Sequence, residues 1–186
     1  MKSNNDHTAL LVMDIQTSVL AGMTETATIL TNINKAIAYA HSHNIMVIFI
    51  IVGFRNGVPE VSADNKMLAG IKERSAGINL HEMSKVHPGV VSDPQEIIVI
   101  KHRISAFVGT DLELILRAQS IRHLILTGVS TSGVVLSTLR EAADRDYRIT
   151  VLKDCCMDRD EAVHQILVEK VFVLQAEVTD LNNLVE

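Results

Sequence analysis

The sequence contains no tryptophan, two tyrosines and four phenylalanines, so aromatic residues make up only 3% of it. This scarcity argues against a site that reads bases or sugars by stacking. The two cysteines, Cys155 and Cys156, are adjacent. Neighbours cannot readily bridge to each other, so the chain has no disulfide framework. The longest apolar run, Ile45 to Val52, is far too short to cross a bilayer. The N-terminal stretch Met1-Lys2-Ser3-Asn4-Asn5-Asp6 is polar and does not read as a signal peptide; the cytoplasm is the expected compartment. Basic residues are not in excess: 17 Lys and Arg stand against 22 Asp and Glu, for a net charge of −5. They are scattered rather than striped, which speaks against a nucleic-acid partner. The eight histidines do not fall at metal-ligand spacing. No G-x-G-x-x-G or Walker pattern occurs. Neither a metal nor a cofactor is expected.

What is present is a globular pattern. Hydrophobic residues make up 47% of 186 positions, enough for one domain over 1–186 with a full core. Apolar runs alternate with helical periodicity. Ala9 to Met13, Ile45 to Val52, Ile97 to Ile100, His123 to Thr127 and Ile149 to Leu152 read as strands, with Ala176 to Thr179 as a short sixth. Leu30, Ile33, Ile37 and Ala40 lie on one helical face. Leu112, Ile115 and Leu116 mark a second helix, with Thr110 or Asp111 as its N-cap. Val135, Leu139, Ala142 and Ala143 mark a third, and Val163, Ile166 and Leu167 a fourth. Strands that are apolar without alternation are covered on both faces, as in parallel sheets. The expected fold class is therefore α/β, an open sheet flanked by helices with right-handed crossovers. Residues 54–96 depart from this pattern. They hold all three prolines and four of the nine glycines, and read as a long excursion with one helical stretch around Asn65 to Arg74.

Open α/β sheets place ligands at the carboxyl ends of their strands, where strand order reverses. Asp14 follows the first strand, Lys101 follows the third, and the turn Ser130-Thr131-Ser132-Gly133-Val134 follows the fourth. Each has a dull explanation when taken alone. Asp14 could serve a turn or helix cap, Lys101 could be a solvated strand end, and the hydroxyls of the turn are good N-caps. The coincidence of all three on one edge points to a site, in which free N–H groups of the turn could receive an anion. Cys155 and Cys156 read as small buried residues rather than nucleophiles.

Motifs spread along the chain give a further lead. They are Leu11-Val12-Met13-Asp14-Ile15-Gln16, Phe54-Arg55, Pro59-Glu60-Val61-Ser62 and Lys101-His102-Arg103-Ile104-Ser105-Ala106-Phe107. They continue in Gly128-Val129-Ser130-Thr131-Ser132-Gly133-Val134-Val135-Leu136-Ser137-Thr138, Asp144-Arg145-Asp146-Tyr147 and Asp154-Cys155-Cys156. In order and spacing the chain resembles the isochorismatase-like hydrolases, also called the cysteine hydrolase superfamily. The resemblance implies a three-layer α/β/α fold around a six-stranded parallel sheet, assembled as dimers or tetramers. It implies a triad of Asp, Lys and Cys, with Asp14 and Lys101 as the first two and Val134 where the thiol would stand. It also implies a cis peptide at Val129-Ser130. Residues 54–57 offer no Asp-x-His of the kind that binds metal in nicotinamidase-like members.

An isopropyl group cannot attack a carbonyl carbon, so covalent amidase chemistry should be absent. The resemblance to true isochorismatases implies an alternative, in which Asp14 gives a proton to a vinyl ether and Lys101 orients the anionic substrate. Whether Asp14 holds that proton turns on burial, which favours it, and Lys101, which opposes it. The reading expected from the sequence is a thiol-less hydrolase of a small molecule. Asp14 and Lys101 act as the catalytic pair, and Gln16, Phe107, Val129, Ser130, Thr131, Ser132, Gly133 and Val134 line the pocket. The alternative is a non-catalytic member that binds a small molecule or a protein partner.

Overall fold

A computed structural model describes residues 7–74 and 79–185. Six strands form one sheet: β1 (Thr8–Met13), β2 (Met46–Val52), β3 (Ile97–Lys101), β4 (His123–Val129), β5 (Arg148–Met157) and β6 (Glu177–Thr179). Their order is β3-β2-β1-β4-β5-β6, and every pairing is parallel. The chain thus builds outward from β1 in one direction and returns to build outward from β4 in the other. The crevice between the ends of β1 and β4 is the switch point.

The helices are α1 (Thr17–Leu20), α2 (Thr26–Ser42), α3 (Ala69–Arg74), α4 (Leu80–Met83), α5 (Leu112–Ala118), α6 (Leu136–Ala143), α7 (Glu161–Ile166) and α8 (Leu181–Val185). Successive strand residues point to opposite faces, so the sheet divides the core in two. Leu11, Met13, Ile48 and Leu124 pack with Leu112 and Leu116 of α5 and Leu139 and Ala142 of α6. Leu10, Val12, Phe49 and Ile125 pack on the other face against Ile29, Ile33, Ile37 and Ala40 of α2. This is why β1 is apolar at all six positions but Thr8. Each large aliphatic side chain so buried contributes on the order of 1.5–3 kcal/mol.

The expected strands are all present, and the differences lie at their ends. β5 runs ten residues, Arg148–Met157, well past Leu152. Lys153 and Asp154 hide this extension from a search for apolar runs. Its pairing with β4 slips between Leu126 and Gly128, the mark of a bulge. The helix expected over Asn65 to Arg74 begins only at Ala69. Before it, Asn65 Oδ1 accepts from the Leu68 N–H at 3.1 Å, and this side-chain bond favours a turn over a continuing helix. The excursion carries its own small core of Val58, Val61, Leu68 and Leu80. At α5 the Thr110 hydroxyl accepts from Leu112 N at 3.3 Å, while Asp111 makes no side-chain cap bond.

Among the described residues no helix is long and apolar enough to cross a membrane.

Candidate active site

The site forms where β1, β3 and β4 end. β1 hands its last pairing to Asp14, whose N–H donates to Ile50 O at 2.8 Å and whose carbonyl accepts from Gln16 N at 2.8 Å. Asp14 sits at φ 55°, a left-handed conformation that Asp tolerates better than most residues. The kink takes its side chain off the strand line and toward the switch-point crevice. Lys101 closes β3 in register with Val52. Its Nζ lies 2.8 Å from Asp14 Oδ2 and donates to Arg103 O at 3.1 Å. Both side chains are buried. The other carboxylate oxygen, Asp14 Oδ1, is buried and has no hydrogen-bond partner.

Removal from water favours the neutral carboxylic acid, while the Lys101 ammonium favours the carboxylate. Burial wins and pushes Asp14 up to about 6.

A cavity of about 210 Å³ lies over this pair. Asp14, Lys101, Val129, Ser130, Gly133 and Val134 all line it, so the structure gathers six of the residues singled out in the sequence. Val134 is buried. The remaining four are placed elsewhere. Gln16 is fully buried, with Nε2 donating to Val52 O at 3.0 Å and Met83 O at 2.6 Å. Its Oε1 accepts from Val52 N at 2.8 Å. All its polar capacity goes into splicing β1 to β2 and to the excursion. Phe107 packs against the Tyr147 ring, with centroids 6.1 Å apart, beneath the Arg145 guanidinium. Thr131 bonds to His164 Nδ1 at 2.8 Å, and Ser132 N donates to Asp158 Oδ2 at 2.7 Å.

The turn itself is a π-helical stretch, Thr131–Val135, running into α6. The Val129–Ser130 peptide is cis, as the family resemblance implies. The hydroxyl caps expected for this turn do not form: Ser130 makes no side-chain cap bond. The cap comes instead from Asp158, far along the chain. Gly133 N donates to Ser130 O at 3.1 Å, so two N–H groups offered for an anion are already occupied. Gly128, just before the turn, has φ 144°. A Cβ there would collide with the Met13 carbonyl oxygen, so β1 and β4 can approach this closely only with glycine.

Sequence reasoning missed several residues of the site. Val19 and Met23 reach the cavity from α1 and the loop after it, Met67 and Leu68 from the excursion, and Arg103, Ile104 and Arg159 from loops. Only Arg103 and Ile104 gave a signal, as neighbours of Lys101. The cysteines do not belong to the site: neither lines the cavity, and both are buried and unbridged. Burial pushes the Cys156 thiol up to about 12 and raises Cys155 as well. Neither is a ready thiolate. Among the described residues no three His, Cys, Asp or Glu side chains converge as a metal would require.

Residues 8–183 match the profile of the isochorismatase domain. The ureidoacrylate amidohydrolase RutB of Acinetobacter baylyi is 31% identical over 177 residues, covering 81% of this chain and 71% of that protein. Its counterpart in Yersinia enterocolitica is 33% identical over 168 residues, covering 78% and 73%. Among solved structures, an isochorismatase family protein from Burkholderia thailandensis superposes with a TM-score of 0.81 at 24% identity, over 95% of this chain and 92% of that one. A cysteine hydrolase from Pseudomonas syringae pv. phaseolicola gives 0.89 at 22% identity, over 98% and 92%. At these identities the structural likeness concerns the fold alone.

Proposed function

The chain belongs to the isochorismatase family, and from that premise we propose that it hydrolyses a small molecule without a thiol nucleophile, using Asp14 as general acid. The observation that carries this reading is the half-satisfied carboxyl group. Lys101 engages Oδ2, while Oδ1 is buried without a partner in a group that burial pushes up to about 6. A carboxyl so placed can hold a proton and deliver it from its free oxygen. Val134, standing where the resemblance implies a thiol, leaves no thiol nucleophile for an acyl-enzyme.

The chemistry that fits is hydrolysis of a vinyl ether. Asp14 transfers its proton to the terminal alkene carbon, giving an oxocarbenium ion next to the Asp14 carboxylate. Water adds to the cationic carbon and loses a proton to Asp14. The resulting hemiketal collapses to an alcohol and a carbonyl compound. Proton transfer by a positioned acid of this kind is worth roughly 10²–10⁴-fold. Lys101 holds Asp14 in place through its contact with Oδ2. A homo-oligomer and a cytoplasmic setting complete the proposal.

Amide hydrolysis is the competing chemistry, since the RutB relatives are amidohydrolases. A purely binding member is the other alternative, and Val134 is the observation in its favour. One experiment separates the three: turnover of isochorismate and of an amide panel that includes ureidoacrylate, followed by mass spectrometry, with Asp14→Asn as control. Asp14-dependent loss of isochorismate supports the proposal. Turnover of amides alone replaces it with amidase chemistry. No turnover of any compound favours the binding member.

A further inference from the structure

The charge of the cavity is opposite to that of the molecule. The chain carries a net −5, yet the titratable residues lining this cavity are Asp14, Lys101, Arg103 and Arg159. Asp14 and Lys101 offset each other as an ion pair. Two guanidinium groups are left, brought by different parts of the chain: Arg103 just after β3, and Arg159 between β5 and α7. Neither has a carboxylate within ion-pair distance among the described residues.

What holds them is backbone. Arg103 Nη1 donates to His102 O at 2.7 Å. Arg159 Nη2 reaches Val19 O and Ala21 O at 3.4 and 3.3 Å. The two Arg159 bonds are long, and for each guanidinium these contacts leave most of its five donors uncommitted. The rest of the cavity wall is largely hydrocarbon from Val19, Met23, Met67, Leu68 and Ile104. Guanidinium forks match carboxylates in a planar, bidentate fashion. An apolar wall then takes the body between them. At about 210 Å³ the space is smaller than a typical drug-sized pocket, so the ligand is of metabolite size.

We propose that Arg103 and Arg159 are specificity-determining residues, which select a small substrate with a compact hydrocarbon body and two carboxylate groups. Such a dianion cancels the two unpaired charges. Arg103 comes from the loop after β3 and Arg159 from the loop between β5 and α7, so the selection is divided between two separate loops. The proposal rests on the reading of this cavity as the substrate site, but not on the chemistry assigned to Asp14.

Binding of ring-matched probes to the whole chain by calorimetry tests it: isophthalate with two carboxylates, benzoate with one, and benzamide with none. Isophthalate is expected to bind about tenfold to a hundredfold more tightly than benzoate, and benzoate more tightly than benzamide, as charge-assisted bonds imply. Arg159→Gln should bring isophthalate down to the level of benzoate and leave benzamide unchanged. Arg103→Gln should do the same, and the exposed position of Arg159 keeps the test standing if that second variant folds poorly. Equal affinity for the three probes, no binding of isophthalate, or variants that bind it like the parent would overturn the proposal. The same titration in Asp14→Asn separates the two readings. Arginine-dependent binding of isophthalate without any isochorismate turnover by the parent keeps the selection and removes the acid catalysis. Asp14-dependent turnover that is indifferent to both arginines does the reverse.

Discussion

Two cavities flank the turn at Thr131–Val135, and the larger one is the less chemical of the two. It encloses about 430 Å³ and is lined by Asp154, Asp158, Glu161 and His164 among others. Every one of these polar side chains has a structural task. Asp154 accepts from Leu181 N at 2.9 Å, and Glu161 from Gln165 at 2.7 Å. Asp158 accepts from Ser132 N and Arg159 N, while His164 bonds to Thr131. The smaller cavity has a single carboxylate, and one of its oxygens is unpartnered. Volume and polarity mark the first cavity, and unspent hydrogen-bonding capacity marks the second. Capacity of that kind is costly when buried, so its retention is the better sign of a working group.

The largest expected effect strikes at that free oxygen. Asp14→Asn should lower turnover roughly 10²–10⁴-fold while circular dichroism shows an unchanged fold. A variant that turns over like the parent would erase the distinction between the cavities. Lys101→Met comes next, because it leaves a buried carboxyl without its cation. Breaking a buried pair costs about 3–5 kcal/mol, but Asp14 can escape part of this by taking up a proton. Urea melts should therefore show a larger loss at pH 8 than at pH 5, and equal losses would place Asp14 outside the pair.

The pH profile sharpens the contrast without a mutation. Asp14 is raised to about 6, so it is protonated below that value and ionised above it. Acid catalysis predicts a kcat/KM that is constant at low pH and falls about tenfold per unit once pH rises past about 6. A limb in the opposite direction would make Asp14 a base. The same shift affects stability: the folded value lies above the unfolded one, so the protein binds the proton more tightly when folded. Its contribution is therefore present at low pH and is lost as pH rises through about 6. The smallest effect belongs to the other cavity. Asp158→Ala removes the cap on Ser132 N and should cost about 0.5–2 kcal/mol, read from thermal melts. A loss of activity as large as that of Asp14→Asn would show that the two cavities are not separable.

The layers of the fold were open to reading because they obey one rule throughout: apolar strands between amphipathic helices. β1, β2 and α2 announce themselves in their spacing, and Asp14 and Lys101 stand out as charges that interrupt such runs. Elsewhere local pattern and tertiary outcome diverge. The second half of β5 is strand because its neighbour β4 pairs with it, although Lys153 and Asp154 look like a loop. Gln16 and Phe107 lie beside site residues in sequence, but one completes backbone pairing and the other packs under Arg145. Ser130 looks like a cap and is not one, because Asp158 reaches the turn from the end of the neighbouring strand β5. Arg159 belongs to the cavity through a loop whose path no periodicity encodes.

The approach of β1 to β4 at Gly128 bears on how this protein can change. Where two main chains touch with no side chain between them, the gap between Asp14 and the facing turn is set by the sheet alone. Replacing Val134 alters what the cleft offers a ligand while its two walls keep their spacing. Reactivity here is an exchangeable fitting on a fixed frame. Val134→Cys, with an amide as substrate, is the direct way to exchange it.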